Sequence, residues 1–293
     1  MKCAHIGNPA NVAWEISRAQ RALGCQADVW VPRPSPFGFY HDRVFRLPKG
    51  LRWLELRDYD VLHLHAFRLL PHALETLIPS RQKIVLHHHG TDVRLPGEPL
   101  GARWAHARLC NVDLVRQCPE ATPVPLPLNT SNVYRAQGVT VHGTVLHLES
   151  AGDRTGTRFV EAACRKLDLT LYPTDRTVGS QPRDRWLRLM SSAEVVVGKV
   201  ARISGMPGMV MLEALAMGKP ALCWVSEACR KIMGPDCPVV TVTPETLLEA
   251  LRWVTGDAFT REYLRDRGKD YVRTYHRPED VARKCLEAYG DPA

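Results

Sequence analysis

Short apolar segments alternate with longer segments of helical periodicity along this chain. The apolar segments include residues 1–7 (MKCAHIG), 60–67 (DVLHLHAF) and 83–90 (KIVLHHHG), and residues 11–23 carry apolar side chains at helical spacing. This alternation is typical of parallel strands connected by helices. It predicts an α/β fold with parallel sheets.

A proline-rich segment, residues 119–127 (PEATPVPLP), interrupts the alternation, because no helix could cross it. Strand and helix patterns begin again at residues 139–148 (VTVHGTVLHL) and 158–167 (RFVEAACRKL). We therefore predict two doubly wound domains, residues 1–135 and residues 136–293, the second of which includes the terminal helices.

Composition and charge narrow the class of protein. The 293 residues suffice for about two domains, and 45% apolar content excludes disordered and fibrous classes. A net charge of +8 favours anionic partners such as nucleotide phosphates, an acidic membrane face or nucleic acid. No apolar run reaches the roughly 18 residues of a membrane span. The nine cysteines include no CxxC pair, which predicts reduced thiols in a cytoplasmic protein. The first residues have the pattern of a strand followed by a helix, and not that of a secretory signal, so we expect a soluble protein.

Histidines are concentrated on two neighbouring predicted strands. Residues 87–92 (HHHGTD) end one strand, and His63 and His65 share a face of the other, because side chains alternate along a strand. Four imidazoles on two strands could hold a metal ion, although Asp92 is the only acidic residue in register. In the alternative interpretation, which we favour, the other histidines are hydrogen-bonded and only His89, beside a glycine at the strand tip, is functional.

A glycine-rich segment leads into a predicted helix at residues 204–220 (SGMPGMVMLEALAMGKP). Gly208 lets the backbone approach a ligand, and the free N–H groups at the start of the helix can bind a pyrophosphate. Glu213 lies about one and a half turns into this helix, where a carboxylate can accept from both hydroxyls of a ribose. Alternatively, Glu213 is a solvated residue on a helix that only packs against the sheet.

These segments resemble motifs of the GT-B fold glycosyltransferases, specifically of the large retaining family that uses sugar nucleotides. Residues 87–93 (HHHGTDV) are similar to the family's HG-x-D segment, and residues 205–222 (GMPGMVMLEALAMGKPAL) are similar to its G-x-x-G…E-A-x-A-x-G-x-P signature. Residues 145–167 resemble the strand, phosphate loop and helix that open the family's second domain, and residues 267–282 resemble its closing helices. The likeness covers nearly the whole chain.

The resemblance implies two Rossmann-like domains that face each other across a cleft, the first binding the acceptor and the second the nucleotide sugar. It implies a metal-independent transfer, with retention, from a UDP-sugar or GDP-sugar to a hydroxyl acceptor, and no further cofactor. His89 would contact the transferred sugar, Asp92 would position the loop or a donor hydroxyl, and Glu213 would hold the ribose. We expect acceptor contacts at Asn8 and Asn11. The other expected donor-binding residues lie on the phosphate loop and around the start of the helix: Arg154, Thr155, Lys199, Gly205, Gly208, Met209 and Val210.

Three positions depart from the family's pattern. Gly205 stands where the commonest pattern has a glutamate, Thr155 where it has a phosphate-binding lysine, and Glu149 where many members have an arginine. Arg154 or Lys199 could supply the missing positive charge. These departures suggest an alternative function, in which the protein has the same fold and binds a nucleotide sugar but does not turn it over.

Two further classes remain from the residues alone. One is a metal hydrolase built on the histidines, and the other is a nucleic-acid-binding protein, which only the net charge supports. For a transferase, the acceptor would be a glycan, a lipid or a small molecule, with nucleic acid the least supported. The net charge also agrees with peripheral contact at the inner face of a membrane.

Overall fold

The computed structural model describes residues 1–66, 82–90, 102, 105–136, 138–147, 155–172, 183–202 and 205–290. The chain forms two compact units, one of residues 1–127 with the segment from His276 onward and one of residues 128–275. The division predicted from the sequence, at residues 135 and 136, assigned all terminal helices to the second domain. In the structure the last helix packs against the first helix of the chain and belongs to the first unit.

Two parallel sheets organise the described residues, which confirms the predicted α/β fold. The strands are β1 (Lys2–Ile6), β2 (Gln26–Val31), β3 (Arg43–Val44), β4 (Val61–His65), β5 (Lys83–His88), β6 (Ala107–Asn111), β7 (Thr122–Val124), β8 (Thr144–His147), β9 (Thr170–Leu171), β10 (Val195–Val197), β11 (Ala221–Cys223) and β12 (Val240–Thr241). The α-helices are α1 (Val12–Ala22), α2 (Trp53–Leu56), α3 (Thr130–Tyr134), α4 (Thr157–Lys166), α5 (Arg183–Ser192), α6 (Met209–Ala216), α7 (Glu227–Met233), α8 (Leu247–Gly256), α9 (Ala258–Tyr275) and α10 (Pro278–Ala288).

The sheet of the first unit has the strand order β3-β2-β1-β4-β5-β6-β7. The direction of winding reverses between β1 and β4, and open α/β sheets bind ligands outside the carboxyl ends of the strands at such a point. Alternation along β4 places Leu62 and Leu64 in the apolar core on one face and turns His63 and His65 to the other. The sequence of β4 therefore makes one face of this sheet polar.

Helix α1 covers the polar face of this sheet. Its predicted position is confirmed, with Val12 and Ile16 fully buried and Gly24, at φ +88°, just beyond its end. Helix α10 packs against α1. The two helices bring Gln20 and Tyr289 to the histidines on the sheet.

The sheet of the second unit has the order β12-β11-β10-β8-β9, so its winding reverses between β8 and β10. Its strands bury near-continuous apolar residues, including Val145, Val195, Val197 and Leu222, as expected for a sheet covered on both faces. Because these strands are parallel, the carboxyl ends of β8, β10 and β11 lie at one edge, where a ligand is expected.

All nine cysteines are free thiols, and every one except Cys25 is buried, in agreement with the predicted core thiols. Within the described ranges, the helices are too short or too polar for any of them to span a membrane.

Candidate functional site

Five histidines lie together on the polar face of the first sheet, where its winding reverses. Neighbouring ring centroids are 4.2 to 5.3 Å apart. Four of the rings are buried, and the fifth, after the end of β5, is partly exposed. The five are His5, His63, His65, His87 and His89. The strand register explains the group, since His5 pairs with His63 and His65 pairs with His87.

Three of these rings are joined by hydrogen bonds between their ring nitrogens. His65 Nδ1 lies 2.9 Å from His89 Nε2, and His65 Nε2 lies 3.0 Å from His5 Nδ1. Burial lowers the pKa of His5 to about 4 and holds the pKa of His65 well below its ordinary value of 6.5. Both rings are therefore neutral at pH 7.

The same histidines have the composition of a metal site. Ligand atoms of His65, His87 and His89 lie within 4.8 Å of one another, as do those of His5, His63 and His65. Two nitrogens bound to one tetrahedral zinc ion are about 3.3 Å apart, because each Zn–N bond measures about 2.0–2.1 Å and the angle between the bonds is about 109°. The paired nitrogens here are 2.9 and 3.0 Å apart on facing ring edges, with centroids at 5.2 and 5.3 Å. This geometry is that of hydrogen bonds for His5, His65 and His89. Both ring nitrogens of the buried His87, and Nε2 of His63, have no hydrogen-bond partner among the described residues, so the prediction of hydrogen-bonded histidines does not extend to His87.

The two asparagines expected to bind an acceptor hold the loop after β1. Asn8 Nδ2 donates to Tyr40 O at 2.8 Å, and Asn11 Oδ1 accepts from Tyr40 N at 3.2 Å. Asn11 Nδ2 donates to Glu15 at 3.1 Å, and Asn11 itself is buried. Ala10 and Asn11 have φ of 51° and 65°, a conformation that L residues rarely adopt. The amides thus stabilise a strained turn at the carboxyl end of β1.

In the second unit, α6 begins at the edge of the sheet with no side-chain cap. Gly208 is exposed and extended at the N-cap, and Met209 and Val210 form the first turn. The N–H groups of a first turn have no partner within the helix, and the positive end of the helix dipole lies there. The helix start that the sequence predicted is therefore present, and its binding of an anion stays a prediction.

Gly205 has a structural reason to be glycine. Its φ is +65°, and a Cβ at this position would lie 2.7 Å from Ser226 Oγ. Its carbonyl accepts from Ser226 N at 2.9 Å. A glutamate here, as in the commonest family pattern, would need this turn to rearrange.

Glu213 is buried rather than solvated. Arg183, the first residue of α5, donates to Glu213 Oε1 from Nε at 2.9 Å and from Nη2 at 2.7 Å. Burial raises the pKa of Glu213, and the Arg183 guanidinium opposes that rise. Both hydrogen bonds end on Oε1, so Oε2 receives no hydrogen bond from Arg183.

Thr155, at the position of the family's phosphate-binding lysine, points into the protein. It is 1% exposed, and its hydroxyl lies 3.0 Å from Thr157 Oγ1, which in turn lies 3.0 Å from His147 Nε2. The Thr155 carbonyl accepts from Val200 N at 3.0 Å, which joins the loops after β8 and β10. Lys199 lies in the second of these loops and is partly exposed.

Arg154 and Asp92, two of the expected site residues, lie outside the described residues, as does Glu149. Sequence reasoning missed His5, Gln20, Tyr289 and Arg183. His5 carried a signal, because it is a polar residue inside an apolar strand that is adjacent to the histidine-bearing β4. The other three are far from their partners along the chain and carried none.

No protein-family model and no curated protein matches this chain. Solved structures do resemble it. The HepE protein of Anabaena in complex with UDP-glucose is 14% identical, with a TM-score of 0.70 and 99% of both chains covered. A glycosyltransferase from Rickettsia africae is 11% identical, with a TM-score of 0.71 and coverage of 98% of this chain and 97% of that one. A sucrose-phosphate synthase from Thermosynechococcus elongatus is 12% identical, with a TM-score of 0.67 and coverage of 99% and 98%. The two parallel-sheet units of this chain have the GT-B fold, as the sequence predicted.

Proposed function

We propose that this chain is a glycosyltransferase that moves a sugar from a nucleoside-diphosphate sugar to a hydroxyl acceptor. The observation that carries the proposal is the buried Glu213 carboxylate on α6, a helix that begins at the ligand-binding edge of its sheet without a side-chain cap. In one helix, this arrangement combines an anion-binding backbone with a carboxylate for a ribose. The bound UDP-glucose of the HepE protein, a structure of the same fold, supports a UDP-sugar as the donor.

The proposed reaction separates charge, because a diphosphate leaves while positive charge develops on the sugar. The dipole of α6, together with Lys199 or Arg154, would stabilise the leaving diphosphate. His89, at the carboxyl end of β5, would contact the sugar, and Asp92 would position its loop. We further propose that the reaction retains the anomeric configuration and needs no metal ion, as the family resemblance implies.

The acceptor would be a hydroxyl of a glycan, a lipid or a small molecule. Asn8 and Asn11 would contribute to acceptor binding by stabilising the turn after β1. Their side-chain amides are hydrogen-bonded to other residues of the first unit. We propose that the protein is cytoplasmic. Its net charge of +8 would allow it to contact an acidic membrane face.

Calorimetry with UDP and GDP tests the donor site directly. Glu213→Gln should weaken binding of the matching nucleotide about tenfold, because a neutral amide makes weaker hydrogen bonds to ribose hydroxyls than a carboxylate does. Glu194→Gln is a matched control, since Glu194 is an equally buried carboxylate in the same unit, bonded to Arg261, His142 and Gly143 N. Equal nucleotide affinity in the Glu213 variant and the wild type would remove Glu213 from the site.

Turnover separates the enzyme from the alternative, a protein of the same fold that binds nucleotide sugars without reacting. The inward direction of Thr155 favours that alternative, because its side chain cannot replace the lysine. Release of UDP or GDP from a panel of nucleotide sugars identifies an enzyme, and the anomeric proton signals of the product report retention or inversion. Activity that persists in excess chelator would support metal independence, and activity lost with the chelator and restored by one metal would refute it.

A further inference from the structure

A continuous chain of hydrogen bonds crosses the interior of the first unit. It runs from His89 to His65, to His5, to Gln20 on α1, to Tyr289 after α10, and ends on His63. The five donor–acceptor distances are 2.9, 3.0, 2.8, 3.1 and 2.5 Å. The chain joins a partly exposed histidine at the ligand-binding edge to groups that are fully buried.

The amide of Gln20 fixes the direction of this chain. Its Oε1 can only accept, so His5 Nε2 carries a proton and donates to it. Because the His5 ring is neutral, its Nδ1 is an acceptor and receives the proton on His65 Nε2. By the same reasoning, His65 Nδ1 accepts from His89 Nε2.

The hydroxyl of Tyr289 gives the same direction from the other end. Gln20 Nε2 donates to this oxygen at 3.1 Å, and Cys3 Sγ donates to it at 3.8 Å. The phenolic proton therefore goes to His63 Nδ1, at 2.5 Å. Each donor from His89 to Tyr289 therefore meets an acceptor, while His63 Nε2, which carries the proton of the last ring, has no hydrogen-bond partner among the described residues.

We propose that Gln20 and Tyr289 are positioning residues that act through His5 and His65 to hold His89 in a single tautomer, with its proton on Nε2 and its lone pair on Nδ1. This inference rests on the proposed function, in which His89 contacts the donor sugar. In this tautomer, Nδ1 of His89 accepts and does not donate, so a donor-sugar hydroxyl that contacts this atom would have to donate its proton. A free imidazole would populate both tautomers and would present this acceptor only part of the time.

Nitrogen-15 NMR of the histidine side chains tests the tautomers without any substrate. The wild type should show His5 and His65 as neutral rings protonated on Nε2 at pH 7, and the neutral form of His89 should also carry its proton on Nε2. In Gln20→Met, which keeps the length of the side chain but removes its hydrogen bonds, His89 should show both tautomers. Gln20→Glu keeps an oxygen that accepts from His5 Nε2 and should restore the single tautomer.

Kinetics then test the consequence for turnover. Gln20→Met should lower kcat about tenfold with an unchanged KM for the nucleotide sugar, and Gln20→Glu should recover most of the loss. Cys285→Ala is the matched control. Cys285 is buried on α10, four residues before Tyr289, so this substitution disturbs packing in the same region without removing a hydrogen bond of the chain. It should leave both the tautomers and kcat near wild type. If Gln20→Met does not fold, Tyr289→Phe takes its place, because it removes only the hydroxyl group.

The outcomes separate this inference from the function on which it rests. A wild-type spectrum in which His5 or His65 is protonated on Nδ1, or is cationic, overturns the inference whatever the activity. A shifted tautomer of His89 with unchanged kcat also overturns it, because positioning would then have no effect on turnover. A wild type that transfers no sugar refutes the proposed function, while the spectra still decide whether the chain sets the tautomer of His89.

Discussion

The two units bury polar side chains in opposite ways near the edges where open α/β sheets bind ligands. In the first unit, the buried rings of His5 and His65 are neutral and are hydrogen-bonded to each other, and His65 also bonds to His89, with the pKa of His65 held well below 6.5. In the second unit, a buried carboxylate, Glu213, is paired with the guanidinium of Arg183. Burial makes an isolated charge costly, so a polar group inside a protein must either lose its charge or gain a partner. The first unit shows the first solution and the second unit shows the second.

This contrast indicates which kind of measurement each unit should affect. Neutral hydrogen-bonded rings hold donors and acceptors in fixed directions. We therefore expect them to affect the orientation of a bound substrate, and so its turnover. A buried ion pair contributes charge, which acts on stability and on the binding of polar ligands. Four substitutions test this division.

The largest expected effect is on stability, from Arg183→Met. Removing the guanidinium leaves Glu213 buried without its partner, which should lower the free energy of unfolding by about 3 kcal/mol at pH 8. Chemical denaturation measures the loss. Arg261→Met, which removes one partner of the buried Glu194, is the control, and it should cost less because Gly143 N and His142 still donate to that carboxylate.

The same variant has a defined dependence on pH. Burial raises the pKa of Glu213 above 4.5, and loss of Arg183 raises it further, so the folded state binds a proton that the unfolded state releases. The stabilisation from this proton is present below pH 4.5 and is lost as the pH rises through the folded pKa. The destabilisation by Arg183→Met should therefore shrink between pH 8 and pH 5. A loss that stays constant over this range would show that Glu213 is not the titrating partner.

His89→Ala should reduce kcat about 100-fold, or roughly 2.7 kcal/mol of transition-state stabilisation, with little change in donor affinity. Steady-state kinetics and calorimetry measure the two effects. His106, an exposed histidine at the opposite end of the sheet, provides the control variant His106→Ala. A rise in KM alone would show that His89 only binds, and the division between the units would fail.

Gly205→Glu installs the residue of the commonest family pattern and should destabilise the second unit by about 1–3 kcal/mol, because a side chain at φ +65° is strained and meets Ser226. Thermal unfolding measures the effect. Gly256→Ala, at a glycine with no atoms near the added Cβ, should change the melting temperature little. If Gly205→Glu instead gains activity at unchanged stability, the turn is more adaptable than its contacts indicate.

The smallest effect is expected from Thr155→Val, which removes one buried hydroxyl. The loss of its hydrogen bond to Thr157 should cost about 1 kcal/mol of stability and leave nucleotide affinity unchanged. Calorimetry of the folded variant decides the second point. Weaker nucleotide binding would mean that the Thr155 hydroxyl turns outward to the ligand, as the lysine of the family would.

Local patterns predicted most of the fold and selected the two segments that carry the candidate sites. The alternation of apolar and polar residues defined β4 and α1, and a glycine before an apolar run defined the start of α6. These features depend on residues close together in sequence, where periodicity and capping have direct physical meaning. The same reasoning recognised that His63 and His65 share a face.

The tertiary structure alone decided how the polar groups are satisfied. Tyr289 reaches His63 from 226 residues away, and Arg183 reaches Glu213 from 30 residues away. No local pattern encodes such pairs, because they form only when packed helices and sheets place the side chains within hydrogen-bond distance. The sequence by itself determined that histidines lie at the ends of two strands and that a carboxylate lies about one and a half turns into α6. Packing determined that the histidines are neutral and directional and that the carboxylate is paired, because burial, not residue type, sets the free energy of a charge.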